Sequence, residues 1–559
     1  MPLPTPFNRR HFVIGVGAGL LGGPAVVRAA SLAEAAGPFT HGVASGDPLA
    51  DRVILWTRVS PALGAVVPVL WDVALDAGFT RMVRRGRALA LAAADHTVKV
   101  DAIGLPADTP LYYRFRTGEA YSPTGRTRTL PVGAVSQVKL AVFSCSNYPA
   151  GYFNVYAEAA RRDDLHAAVH LGDYIYEYGR GGYASGNAAA MGRESLPATE
   201  ILSLADYRQR YAQYRSDPDL QAVHAALPFI CVWDDHEITN DTWKAGAENH
   251  QAATEGDFFV RRAAALKAYH EWMPVRAPDP ARPEKLYRSF SFGRLLDLHM
   301  LDTRVIARDE QLDYAGYIGA TGFDAARFAA DIGNPQRQLL GGEQTTWLRN
   351  RMAATSGTWT VLGQQVLMGR MNLPAPLVLG QIGFAAYSAL LMKAATAPAT
   401  LTAQERAILA QPSVPYNLDA WDGYAAARET VLQAARELDK NLVVLAGDTH
   451  NAWASDLQDA QGRPIGVEFA TSSVTSPGLE GYFPNENPAL VAAGLTQIVG
   501  PLQYANTKDR GYMVLTATPQ ECRAEWHYVS TITSRSYATF SGPAWRTLPG
   551  AGARQLVAG

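Results

Sequence analysis

Two rhythms of apolar and polar residues divide the chain. Between residues 38 and about 132, apolar positions alternate over short stretches. Val69, Trp71, Val73 and Leu75 share one face of 69–75. Val98 and Val100 oppose Thr97, Lys99 and Asp101, and Leu111, Tyr113 and Phe115 oppose Tyr112, Arg114 and Arg116. A period of two puts successive side chains on opposite faces of a strand. No helical period competes, so 38–132 reads as a small β-sandwich with no chemistry of its own. A linker follows near Pro131–Ser136.

From Val138 the pattern changes. Continuous apolar runs of strand length end abruptly in polar residues: LAVFSCSN, AAVHLGDYIYE, PFICVWDDHE, WTVLGQQ and NLVVLAGDTH. Such runs predict strands buried on both faces. Helical spacing lies between them. Phe153, Tyr156, Ala157 and Ala160 keep one helix face, and Tyr424, Ala427, Val431, Ala434 and Leu438 keep another. Strands alternating with helices predict an α/β layered domain, β-sheets flanked by helices, over 137–535, with 536–559 as a C-terminal extension. In such sheets ligands gather beyond the carboxyl ends of the strands. All five polar bursts stand at those ends, so distant parts of the chain can converge there. The sequence holds no internal repeat.

The residues at those ends form a metal-like set: Cys145; Asp173 and Tyr176; Asp234, Asp235 and His236; Asp448 and His450. Carboxylates placed directly after buried strands repel one another in a pocket of low dielectric, and a multivalent cation is the usual remedy. Carboxylates suit hard ions such as calcium, magnesium or manganese. Tyrosinate and thiolate need a stronger Lewis acid to shed their protons, and Fe(III) fits both. No paired Cys or His spacing marks a structural zinc site. Taken singly, each motif has a plainer explanation: a small buried thiol, a strand-end turn, carboxylates at a helix start, an Asp cap. Their common placement carries the metal reading. Cys231 and Cys522 are expected in the core, and Asp302 to orient Arg304 or cap a strand.

Composition narrows the partners. A chain of 559 residues is long enough for two or three domains, and a formal net charge of −2 argues against a dedicated nucleic-acid binder. Three cysteines cannot build a disulfide framework. At the N-terminus, Arg9 and Arg10 precede an uncharged, Gly-rich stretch from Phe12 to Val27 and small residues at Ala29, Ala30, Ala35 and Ala36. This is the order of an export signal, and the paired arginines resemble the twin-arginine type. Residues 1–36 are therefore expected to engage the twin-arginine translocation machinery, with a periplasmic or secreted product whose chain starts between Ala30 and Pro38. An ordinary secretory signal or a short anchor is the alternative. A second uncharged run, NLPAPLVLGQIGFAAYSALLM, lies between Arg370 and Lys393 and has the length of a membrane span. Pro374, Pro376, Gly380 and Gly383 break it, so no stable membrane span is expected. Segment 371–392 reads either as a helix packed on the core or as an apolar lid near the pocket that favours lipid-like or aromatic ligands.

Six segments in order resemble the alkaline phosphatase D family: GVASGDP (42–48), SCSNY (144–148), LGDYIYEYG (171–179), WDDHE (233–237), LDTR (301–304) and LAGDTHN (445–451). That family is a branch of the calcineurin-like and purple acid metallophosphoesterases, and the likeness covers nearly the whole mature chain. GLPADTPLYYRF (104–115) is similar to a corner in fibronectin-like sandwiches, so a fibronectin-like domain is expected before a metallophosphoesterase domain. Purple acid phosphatases follow the order Asp, GDxxY, GNHE, His, GHxH. Here Cys145 stands where the first Asp would be, and Asp173 and Tyr176 match GDxxY. Asp235 and His236 match the Asn-His pair, and Asp448 and His450 match the last two histidines. The resemblance implies Fe(III) held by Cys145, Asp173, Tyr176 and His450, and a second ion held by Asp173, Asp235 and Asp448, with Asp173 bridging. Asp in place of Asn and His hardens the second site toward Ca(2+). The isolated His has no clear counterpart; Gln364 or Gln365 stands at about that place.

The implied chemistry is hydrolysis of phosphate esters, with hydroxide on Fe(III) attacking phosphorus between two cations. Asp235, His236 and Arg304 are the candidate catalytic residues. His236 either protonates the leaving group or orients Asp235. Arg304, and after it Arg261 or Arg262, is a candidate positive fork for the phosphate; structural pairing is the alternative for each. The expected function is an exported metal-dependent phosphomonoesterase and phosphodiesterase acting on small-molecule or lipid-like phosphate esters. A phospholipase of the same superfamily and a non-catalytic cell-surface binding protein are its rivals.

Overall fold

The computed structural model describes residues 37–60, 64–320 and 322–559. The expected export signal at 1–36 lies outside the described residues. Two large mixed sheets organise the rest. One has ten strands, in the order Val557–Ala558, Thr539–Thr547, Cys522–Val529, Arg510–Ala517, Val138–Phe143, Ala167–His170, Pro228–Cys231, Val43–Gly46, Arg52–Arg58 and Thr97–Ile103. From Val138–Phe143 to Val43–Gly46 the strands run parallel. The other has seven: Arg288–Phe292, Leu296–Met300, Trp359–Gly363, Leu442–Ala446, Pro464–Ala470, Ala452–Gln458 and Leu502–Asn506. Its strands from Leu296–Met300 to Pro464–Ala470 are parallel.

Register explains the unbroken apolar runs. In the seven-stranded sheet Val361, Val443, Leu445, Val467 and Phe469 turn toward a core shared with the ten-stranded sheet. Their neighbours Leu362, Val444, Ala446 and Ala470 turn the other way, into a second core with residues of helices Gly341–Ala354 and Ala425–Glu437. Both faces of each strand are dry, so both sets of positions are apolar. Helices Asn154–Ala160, Leu204–Arg215, Pro218–Ala226 and Phe258–Trp272 add their buried faces to the shared core. Mixed sheets flanked by helices are thus the architecture.

The alternating N-terminal strands divide between two sheets. Val66–Ala74, Met82–Leu91, Pro110–Thr117, Ala120–Tyr121 and Gly125–Arg128 form a five-stranded sheet of their own. Val43–Gly46, Arg52–Arg58 and Thr97–Ile103 instead extend the ten-stranded sheet. Val43–Gly46 is buried along its length and pairs directly with Pro228–Cys231. At the opposite edge, Thr539–Thr547 and Val557–Ala558 continue the same sheet. The uncharged segment folds as strand Asn372–Pro374 and helices Ala375–Val378 and Phe384–Thr396. Phe384, Tyr387 and Leu390 are buried on the outer core, so its helix packs on the domain. No described helix is long and apolar enough to cross a membrane.

Candidate metal centre

The polar bursts meet where the parallel strands end. Val138–Phe143 delivers Cys145, Ala167–His170 delivers Asp173, and Pro228–Cys231 delivers Asp234 to His236; Leu442–Ala446 of the facing sheet delivers Asp448 and His450. The backbone is forced there. Cys145, Asp173, Asp448 and His450 have φ of 61°, 55°, 60° and 63°. Side chains disfavour this left-handed region by about 1–2 kcal/mol each. Four such residues at one point mark a site held in shape by its surroundings. Two glycines let the loops close. A Cβ on Gly172 would lie 2.4 Å from Cβ of Asp234, and one on Gly447 would lie 2.2 Å from Oγ of Ser144.

Three groups of ligand atoms result, each with its atoms within 4.8 Å of one another: Cys145, Asp173 and His450; Asp173, Asp235 and His236; Asp234, Asp235 and Asp448. Asp173 belongs to the first two and Asp235 to the last two, so the groups form a chain. Tyr176 completes the first. Its hydroxyl donates to Oδ2 of Asp173 at 2.9 Å, accepts from Oγ of Ser476 at 2.6 Å, and lies 3.3 Å from Nε2 of His450. Nδ1 of His450 donates to the Pro477 carbonyl at 2.7 Å, which leaves Nε2 as a lone pair facing Asp173, 4.0 Å away.

The electrostatics call for a cation. Burial, then the charge of Asp173, pushes the Cys145 thiol and the Tyr176 phenol far above their ordinary values. Burial also raises Asp234 well above the carboxylate range; Arg304 opposes this, while Asp235, Asp173 and Asp448 add to it. Oδ1 of Asp173 and Oδ2 of Asp234 are buried with no hydrogen-bond partner among the described residues. Unsatisfied buried carboxylate oxygens are costly. The donor set of carboxylates, thiol, phenol and imidazole therefore fits hard, strongly Lewis-acidic ions.

His236 sits beside this centre. Its ring stacks on Tyr176 at 4.2 Å, and Nδ1 lies 2.6 Å from Oε2 of Glu177. Burial opposes its charge, but Glu177, Asp235 and Asp173 outweigh burial and raise its pKa well above the usual value. Asp235 accepts the backbone N–H of Asp241 at 2.7 Å and of His236 at 3.0 Å. Arg304 is wholly buried. It pairs with Asp234, with Asp419 at 2.7 Å and with Asp448 at 3.2 Å, so its fork is taken up by acids. Asp302 caps that loop, accepting the N–H of Arg304 and of Val305, each at 2.8 Å. Arg261 pairs with Glu200 at 2.6 Å, and Arg262 donates to the Lys244 carbonyl at 2.8 Å and lies over Phe259. Neither is among the gathered groups. The amide of Gln365 joins Thr303 to Trp233, and Oε1 of Gln364 accepts from Trp421. Cys231 and Cys522 are buried free thiols.

Sequence reasoning passed over several residues that shape the site. Glu177 and Glu237 stand inside motifs already singled out. Glu237 accepts the N–H groups of Asp173, Tyr174 and Asp234 at 3.1, 2.6 and 2.7 Å, clamping two ligand loops together. An acid at the end of an aromatic run was the available signal. Asp419, Ser476 and Pro477 carry no local signal, because they act on Arg304, Tyr176 and His450 from distant segments.

The fold and the site are those of a phosphate-ester hydrolase. The model of the PhoD-like phosphatases matches residues 140–526, and that of the PhoD-like phosphatase N-terminal domain matches 25–131. The chain belongs to the PhoD-like phosphatase family. It is 37% identical over 555 residues to alkaline phosphatase D of Bacillus subtilis (strain 168), covering 94% of this chain and 85% of that protein. A solved structure described as that of PhoD superposes with a TM-score of 0.76 at 34% identity, over 93% of this chain and 92% of the other.

Proposed function

We propose that this chain is an exported, metal-dependent phosphomonoesterase and phosphodiesterase, with a fibronectin-like sandwich at 38–132 before a metallophosphoesterase domain at 137–535. One observation supports metal dependence most: a buried, partnerless Asp173 oxygen stands among a thiol, a phenol and an imidazole lone pair. Cys145, Asp173, Tyr176 and His450 would hold Fe(III), and Asp173, Asp235 and Asp448 would hold Ca(2+). When bound, such ions supply Lewis-acid charge that draws in phosphoryl oxygens and acidifies water.

The chain's own groups do the rest. Glu177 grips Nδ1 of His236, so the charged ring presents Nε2–H as a proton donor for the departing oxygen. Arg304 holds Asp448 and balances the crowded carboxylates from behind. The non-catalytic reading falls with the family assignment. A phospholipase is the second reading, and one feature favours it: apolar helix Phe384–Thr396 packs through Phe384 on Phe483, 5.2 Å away, on the segment whose Pro477 holds His450.

Elemental analysis of protein exported in its native host tests the metal reading. Iron and visible absorption from phenolate or thiolate charge transfer are expected, and Asp173→Asn should lose iron, calcium and activity together. A colourless, fully active enzyme containing only zinc would overturn the assignment. Turnover of dispersed phospholipid against a soluble aryl phosphate separates the two substrate readings. Replacing Arg9 and Arg10 by Lys should block export and leave folding intact; normal export would indicate the general secretory route.

A further inference from the structure

A cleft of about 850 Å³ opens on another part of the surface, between sheet strands Arg52–Arg58 and Thr97–Ile103, helix Phe258–Trp272 and the chain that follows it. It shares no lining residue with the metal centre. Its walls are aliphatic: Ile54, Leu266, Val275, Pro280 and Pro283. Its charges do not balance. Asp101 pairs with Arg276 at 2.8 Å, Glu271 with Arg208 at 2.7 Å, and Glu284 with Arg282 at 3.3 Å. Every acid of the lining is thus committed. Lys267 is exposed on the helix and makes no ion pair among the described residues, and Arg262 donates to the Lys244 carbonyl, lies over the Phe259 ring and acts through its charge on the buried Asp302. Lys99 lies deeper. Two of its hydrogens go to the carbonyls of His270 and Val275, which leaves the third N–H without an acceptor among the described residues. Burial lowers this ammonium to about 8, opposed in part by the charges of Asp47 and Glu271.

We propose that this cleft is a second binding site, for an amphipathic anion: an aliphatic chain laid against the apolar walls, with its carboxylate or phosphate on Lys99, Arg262 and Lys267. Apolar walls alone would suit a neutral ligand, and cations alone an inorganic ion. The combination of an apolar trough and three cations, none of them held in an ion pair among the described residues, selects a molecule with both parts.

Calorimetric titration of the full metal-loaded protein with octanoate, decanoate and the non-hydrolysable decylphosphonate, each in saturating inorganic phosphate, tests this. Each added methylene should tighten binding about fourfold. Lys99→Met should weaken decanoate about tenfold or more, because it deletes a charged hydrogen bond. Lys267→Glu, on the helix surface, keeps the test valid should the buried variant fold poorly. It should weaken decanoate several-fold at low salt and leave aryl phosphate turnover unchanged. Saturating inorganic phosphate, which the proposed metal centre would bind, should not displace decanoate. With the metal centre occupied by inorganic phosphate, decanoate bound in preference to decylphosphonate would identify a fatty acid as the source, and the reverse a phosphorylated lipid. Decyl glucoside or decyltrimethylammonium binding as tightly as decanoate would overturn the anionic half of the proposal. Octanoate and decanoate binding alike, or both failing to bind, would overturn the apolar half and with it the site.

Discussion

His236 shows how one side chain's role follows from its contacts. Glu177 fixes Nδ1, and its charge leads those of Asp235 and Asp173 in raising the ring's pKa against burial. The accompanying Asp235 and Asp173 charges are ones that bound cations would offset, so Glu177 is the lasting partner. A proton donor matters most when the departing oxygen is basic. His236→Ala should therefore lower turnover of alkyl phosphates by about 10²–10⁴-fold and nitrophenyl phosphates much less. Comparing both at saturating metal checks it. Equal losses restored by added metal would make His236 a residue that only orients Asp235. Glu177→Gln should bring the alkaline limb of alkyl phosphate turnover to lower pH, since the ring then loses its proton earlier. At this scale Asp173, Tyr176, Asp235 and Asp448 were legible, because each sits in a short motif directly after a buried run. Asp419 was not. Its meaning comes from Arg304, 115 residues away, and from nothing beside it in the chain.

Among the elements, strand Pro464–Ala470 carries a less visible device. Glu468 is buried in it and accepts the N–H groups of Met368 at 2.6 Å and Gly369 at 2.9 Å. Burial raises this carboxyl to about 7, against an opposing pull from those two donors. The sign is then set. The unfolded chain releases this proton near its ordinary 4.5, the folded chain only near 7, so stability falls as pH rises between the two. At 1.36 kcal/mol per pH unit the loss is roughly 3 kcal/mol. Urea unfolding from pH 4 to 8 should show the native protein losing about that much relative to Glu468→Gln. Parallel curves would mean the carboxyl titrates alike in both states. Strand positions themselves were well marked in the sequence: the alternation at 111–116 falls within Pro110–Thr117, and that at 69–75 runs one residue past the end of Val66–Ala74. The left-handed turns at Cys145, Asp173, Asp448 and His450 were not, since none of these is glycine and the strain is imposed by packed neighbours.

For the whole molecule the main consequence is that the N-terminal strands complete the sheet that presents the site. Val43–Gly46 covers the edge of Pro228–Cys231, the strand that delivers Asp234, Asp235 and His236. Arg288 binds Asp47 at 2.6 Å and the Cys231 carbonyl at 2.8 Å, tying three parts of the chain together. A fragment beginning at residue 137 should expose that buried edge and fail to fold cooperatively. Calorimetry and solubility would check this, and a soluble fragment with one sharp transition and normal metal content would refute it. The amino-acid sequence by itself determined the layered class, the strand ends as the place of chemistry and the identity of most polar groups there. Those properties are local: a dry strand must be apolar on both faces, and a motif needs only its neighbours. Which sheet each N-terminal strand joins, how Arg304 spends its fork among Asp234, Asp419 and Asp448, and where Lys99, Arg262 and Lys267 meet an apolar trough were decided only by tertiary structure. They depend on pairings between residues far apart in the chain, whose energies no local pattern encodes.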